Sequence, residues 1–163
     1  MNRNQTLLRR IKLMTWFFII GLVISGATAI PLTTELRYLV RLLGAEHGSS
    51  TLDLWLAQIH DALQRTQANY PLLFYGTDWL AFGHFVIAIV FIGALRDPVR
   101  NRWLFDFGLI ACILVLPYAM FFGGVRGIPI WWRLIDCSFG VFGFVPLWFC
   151  RRWTLELESR DKS

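Results

Sequence analysis

The sequence predicts an all-α, polytopic membrane protein: a four-helix transmembrane bundle with two short amphipathic helices on its outer side. Three observations predict it. Of 163 residues, 56% are hydrophobic and only 17% charged, whereas roughly a quarter of an ordinary soluble domain is charged. The apolar residues gather in four runs, each close to the roughly 20 residues a helix needs to cross a hydrocarbon core. Lys and Arg collect where those runs end, which orients spans in a membrane.

One membrane domain is expected over residues 1–163, with spans at about 13–31, 72–95, 103–122 and 128–150. In the first span Gly21, Ser25 and Ala29 recur every fourth residue, a small-residue face suited to helix packing. Its basic start and the triplet Ala27-Thr28-Ala29 also resemble a cleavable secretory signal, but the apolar run is long enough to be retained as a span. Intact mass separates the two outcomes, and cleavage would leave three spans in the same orientation.

Residues 32–71 are too polar to insert. Thr33 or Thr34 can cap a short helix with Leu36, Leu39, Val40 and Leu43 on one face and Arg37 and Arg41 opposite. Gly44 and Gly48 then break the chain. Ser50 or Thr51 can cap a second helix carrying Leu52, Trp55, Leu56, Ile59 and Leu63 at helical spacing, with Asp53, Asp61, Gln64 and Arg65 on its other side. Such helices either lie on the interface or cover the bundle. Packing is the ordinary role of such a surface, a lid over a pocket the sharper one. His47 and His60, in this segment, are expected to be solvated or interfacial.

In the later spans Pro117 and Pro146 are expected to bend their helices. Gly140 and Gly143 would let the fourth helix approach a neighbour closely. The fourth span is interrupted by Arg133 and Asp136.

Orientation follows from the basic residues. Arg3, Arg9, Arg10 and Lys12 precede the first span; Arg96, Arg100 and Arg102 link the second and third; Arg151, Arg152, Arg160 and Lys162 follow the fourth. These eleven of the sixteen Lys and Arg fall on one side, so both termini are expected in the cytoplasm of a bacterial inner membrane. The net charge of +5 is thereby an orientation signal and not a nucleic-acid stripe, so no nucleic-acid partner is expected.

Charges inside spans are costly and mark candidate sites. Five polar residues share the outer half of the spans: Asp78, His84, Arg126, Arg133 and Asp136. Asp78 and His84 are six residues apart, roughly 9 Å along a helix. Arg126 lies in the turn Gly123-Gly124-Val125-Arg126-Gly127. Arg133 and Asp136 lie one helical turn apart. Two readings fit. In the first, Asp78 caps the second span, Arg133 and Asp136 neutralise each other, Arg126 meets lipid phosphate, and the four charges form a clasp between spans two and four. In the second, the arginines, the glycine turn and two helix N-termini form an outward-facing anion site, with Asp78 and Asp136 positioning and His84 handling protons. Asp106, one turn into the third span near Arg100 and Arg102, reads as a helix-start acid.

Several chemistries lack their residues. Cys112, Cys137 and Cys150 form no CxxC pair and no cysteine-based metal site. Two of them read as packing residues, and Cys150 stands at a span end where thiols stay reduced. Only His84 is available to an intramembrane haem, which would then need a second chain. No HExxH, GxSxG or Walker loop is present, no polar stripe runs through a helix, and no half of the chain repeats the other inverted. No cofactor or metal is therefore expected, and no catalytic residue is assigned.

The segments Tyr75-Gly76-Thr77-Asp78-Trp79-Leu80-Ala81-Phe82, Arg96-Asp97-Pro98-Val99-Arg100-Asn101, Arg126-Gly127-Ile128-Pro129 and Leu134-Ile135-Asp136-Cys137-Ser138-Phe139-Gly140 resemble a group of bacterial four-span inner-membrane proteins with no assigned activity. The likeness covers roughly the C-terminal two-thirds of the chain. It implies membrane class and bacterial origin, and transfers no functional residue. The function expected is that of a non-enzymatic accessory or assembly subunit of a membrane complex, surrounded by lipid and joined to a protein partner or to further copies of itself. The alternative is an enzyme or transport component that handles an anionic or lipid-like ligand at the outer polar residues.

Overall fold

The computed structural model describes residues 3–161. They form six helices and no strand: α1 (Arg3–Ala29), α2 (Leu32–Leu43), α3 (Thr51–Asn69), α4 (Pro71–Arg96), α5 (Arg102–Val125) and α6 (Ile130–Asp161). Helices α1, α4, α5 and α6 are each long and apolar enough to cross a membrane. Their side chains behave accordingly. Leu72, Phe142 and Val125 are 77%, 69% and 68% exposed, and long rows of such residues are stable only where the surrounding medium is as apolar as they are. The protein is a multi-pass membrane protein.

The helices outrun the apolar stretches that define them. α1 begins ten residues before Leu13, and α6 continues for eleven residues after Cys150. Polar helix ends persist because they hold one another. Arg3 pairs with Glu156 at 2.7 Å, Arg102 pairs with Glu158, and Arg160 donates to Asn4 at 3.3 Å.

The chain groups into two compact units. One comprises Met1–Gly21 with Ala88–Ser163, the other Leu22–Ile87. In the first, Ile11, Phe91, Leu104, Phe105 and Leu147 are fully buried, and the rings of Phe18 and Phe91 tilt together at 4.8 Å. α5 and α6 cross closely because Gly140 lacks a side chain. A Cβ there would stand 2.6 Å from both the Cys112 carbonyl oxygen and Val115 Cγ1. Gly143 serves likewise against the Cys112 sulfur, as does Gly108 against Leu147. Thr15, Cys150 and Thr154 are the buried polar seam between α1 and α6. Thr15 donates to the Ile11 carbonyl at 2.8 Å, the Cys150 thiol donates to the same carbonyl at 3.6 Å, and Thr154 donates to the Cys150 carbonyl at 2.8 Å. Pro117 and Pro146 both lie inside continuous helices.

In the second unit α2 and α3 share a small core of Leu36, Val40, Ala45 and Leu56, flanked by Trp55, Ile59 and Leu63. Gly44 ends α2 in the left-handed region at φ 66°. The Ala45 N–H reaches the Val40 carbonyl and the Gly44 N–H that of Arg41, closing the paired bonds of a Schellman motif. Ser50 caps α3, and its reciprocal bond with Asp53 completes a capping box.

One expectation for this unit is corrected. Thr33 and Thr34 do not cap α2; Pro31 stands there, and Thr33 is buried in the first turn with its hydroxyl oxygen unpartnered among the described residues. Leu39, Leu43 and Leu52 fall outside the core at 36%, 50% and 40% exposed, because two short helices cover only a narrow stripe of each other. Asp53 serves the cap of α3. His60 buries its Nε2, without a partner among the described residues.

Candidate functional site

Asp78 lies in the third turn of α4 and is exposed. The helix already starts at Pro71, so Asp78 does not cap it; the expected cap is corrected by seven residues of helix ahead of it. Tyr75, Asp78, Trp79 and Phe82 line an open groove of about 240 Å³. The aromatic rings meet edge to face, Tyr75 with Trp79 at 5.9 Å and Trp79 with Phe82 at 5.5 Å.

His84 is half-buried, and its Nδ1 lies 2.8 Å from the Leu80 carbonyl one turn back. A carbonyl only accepts, so Nδ1 carries a proton and Nε2 is the ring's remaining polar edge. Gly26 of α1 fits against this stretch of α4; a Cβ on it would come within 3.0 Å of His84 Cβ and of the Ala81 carbonyl.

The turn between α5 and α6 carries the other three residues. Gly127 adopts φ 68°, and the Ile128 N–H reaches the Gly123 carbonyl at 2.8 Å while the Gly127 N–H reaches that of Gly124 at 3.1 Å. This is the same helix-ending motif as at Gly44. Arg133 folds back across it. Its Nε donates to the Ile128 carbonyl at 2.7 Å, and its stem lies where a Gly123 side chain would be, 2.8 Å from an added Cβ. The glycines that suggested an anion cradle are occupied by the protein's own arginine. Asp136 is not its partner: among the described residues neither Asp136 nor Arg126 enters an ion pair, so the expected mutual neutralisation of Arg133 and Asp136 does not form. The reason is geometric. One turn of helix separates them, but the arginine is drawn the other way by a carbonyl that the turn leaves unpaired. Arg126, in the turn itself, is exposed.

Charged side chains do meet at the opposite end of these helices. Asp106, read in sequence as a helix-start acid, accepts from Arg151 Nε, since α6 runs alongside and presents its arginine across the gap. Asp97 accepts from the Arg100 backbone N–H at 2.9 Å, and the Asn101 amide donates to the carbonyls of Gly93 and Asp97 at 3.1 and 2.9 Å. These bonds fix the link from α4 to α5. Beside them, α1 and α6 border an open polar groove of about 540 Å³ lined by Arg3, Thr6, Leu7, Arg10, Arg152, Trp153 and Glu156. In sequence the basic residues orient the spans. Their spacing carried more: Arg3 and Arg10 are seven residues apart, and Arg152 and Glu156 four, so each pair shares a helix face.

Among the described residues no three His, Cys, Asp or Glu side chains gather closely enough to hold a metal ion. Cys112, Cys137 and Cys150 are free thiols. No family model, curated protein or solved structure matches this chain, so the resemblance to bacterial four-span proteins rests on the quoted motifs alone.

Proposed function

We propose that this chain is a non-catalytic inner-membrane protein, an accessory or assembly subunit of a larger membrane complex, with both termini in the cytoplasm. The one-sided distribution of Lys and Arg supports the orientation. The observation that carries the subunit reading is the contrast among glycines. Those at positions 26, 108, 140 and 143 are filled by neighbouring residues, whereas Gly76 and Gly83 of α4 meet nothing within 4 Å. Seven residues apart, they share one face. A side-chain-free notch on a membrane helix suits the close approach of a second helix, where packing and not hydrophobicity drives association.

Purification from cells at native abundance tests this. A stoichiometric protein partner is expected, and Gly83→Leu should release it without lowering the thermal stability of the chain, since the new side chain enters empty space. A clean monomer or homodimer with no partner overturns the reading.

A second reading, a ligand-handling membrane protein, is favoured by the groove around Asp78, where a carboxylate stands among three aromatic rings. Asp78→Asn distinguishes it: loss of physiological function with unchanged folding and unchanged partner would replace the first reading by the second.

A further inference from the structure

We propose that the groove between the basic ends of α1 and α6 binds a phosphate ester, presented by an anionic membrane lipid or free in the aqueous phase. Three arginines face it and one carboxylate, an excess of two positive charges. They are not equally committed. Arg3 is held by Glu156 at 2.7 Å. Arg10 lies with its guanidinium carbon 5.9 Å from the centre of the Trp153 ring. A guanidinium held over an aromatic face has its N–H edge available for a planar, bidentate acceptor. Arg152 is exposed and forms no ion pair among the described residues.

Two unspent guanidinium groups beside an indole suit the several acceptor oxygens of a phosphate ester, which carries one or two negative charges, better than a lone carboxylate, because arginine forks match phosphate geometry. The place suits it too. Leu7, 4% exposed, forms the apolar wall, and the apolar run of α1 begins at Leu13, so the groove sits at headgroup depth when the spans are in a bilayer. Basic pockets between membrane helices at that depth recognise lipid phosphates. The groove volume of about 540 Å³ admits a headgroup as well as the phosphate itself. This inference rests on the assignment of the spans and not on the subunit reading; lipid retention and partner retention are separate measurements, and either fails without the other.

The test uses the full chain in nanodiscs of mixed phosphatidylglycerol and phosphatidylcholine, with bound lipid counted by native mass spectrometry after release. Phosphatidylglycerol should be retained in preference to phosphatidylcholine. Arg152→Gln should weaken that preference about fivefold, as should Arg10→Gln. Arg9→Gln, which removes the same charge outside the groove lining, should change it less than about twofold. A photoactivatable phosphatidylglycerol should label residues 3–10 and 152–156 of the unmutated chain, which answers the question even if a variant folds poorly. A parallel titration with glycerol 3-phosphate and inorganic phosphate identifies the source: saturable binding lost in Arg152→Gln places the ligand in solution, and its absence alongside lipid retention places it in the membrane. Equal losses from Arg9→Gln and Arg152→Gln, labelling spread evenly over the chain, or no preference for either probe overturns the proposal.

Discussion

The α5–α6 hairpin is tied at both ends, and the two ties are of different kinds. At the turn, Arg133 donates to the backbone carbonyl of Ile128 and lies over Gly123. At the open end, Arg151 pairs with Asp106 and Arg102 with Glu158, side chain to side chain across the two helices. The first bond satisfies a carbonyl in the turn, with one charged group and, among the described residues, no ion pair. The second brings opposite charges together at side chains that are 28–39% exposed. A hydrogen bond from a charged donor to a neutral carbonyl is worth about 1.5–3 kcal/mol, whereas a partly solvated ion pair contributes about 0–1 kcal/mol. The turn is therefore the stiffer closure, although the open end carries more charge.

The close crossing between the two ends gives the largest expected effect and the reference for the others. Gly140→Ala sets a methyl 2.6 Å from the Cys112 carbonyl oxygen, which is backbone and does not yield. Overpacking of this kind costs about 1–3 kcal/mol, and separating α5 from α6 strains both ties at once. Denaturation in mixed micelles should register a loss at least as large as that of any single substitution at either end. A stability equal to the unmodified protein would mean that the helices do not cross here.

Arg133→Ala comes next. The expected loss is about 1–2 kcal/mol, less than a buried charged bond in water-soluble proteins because polar bonds in membrane proteins average lower. Lysine cannot replace it, since the Nε–H that reaches Ile128 belongs to the guanidinium. The sharper observation is coupling. Gly123→Ala should destabilise the protein while Arg133 is present, because its Cβ meets the arginine stem, and should be close to neutral once Arg133→Ala has cleared the space. A double-mutant cycle with zero coupling energy would detach the arginine from the turn.

How much of this was legible in the chain divides along the same line. The four spans follow from apolar runs of membrane length, and the α2–α3 pair was announced by its helix-ending Gly44 and by Ser50 ahead of the second amphipathic run. Those signals are local, encoded within a few residues. The glycines at 140 and 143 were readable for the same reason, since a small residue within a span has one common use. What could not be read was which charge meets which. Asp106 lies next to Arg100 and Arg102 in sequence yet bonds Arg151, forty-five residues away. Arg133 and Asp136 sit on adjacent turns yet do not pair. Spacing shows which residues share a face of one helix; it does not show what the neighbouring helix offers, or that a carbonyl at a turn competes for the arginine. The extensions of α1 and α6 were hidden likewise, because a polar helix end is held only by partners that the fold brings to it.

Ionic strength provides the smallest effect and the finest separation of the two ends. Asp106 and Arg151 are each 39% exposed, so Asp106→Asn should cost no more than about 1 kcal/mol in dilute buffer. Salt shortens the screening length from about 10 Å at 0.1 M to about 3 Å at 1 M, so that cost should shrink toward nothing as salt is raised. The cost of Arg133→Ala should stay constant over the same range, because its acceptor is a neutral carbonyl and its geometry a short directed bond. Measuring both variants against the unmodified chain at the two salt levels cancels any effect of salt on the detergent. If both costs fall together, the turn is held by charge in the same way as the open end; if neither falls, the Asp106–Arg151 contact is sheltered from water to a degree its exposure does not suggest.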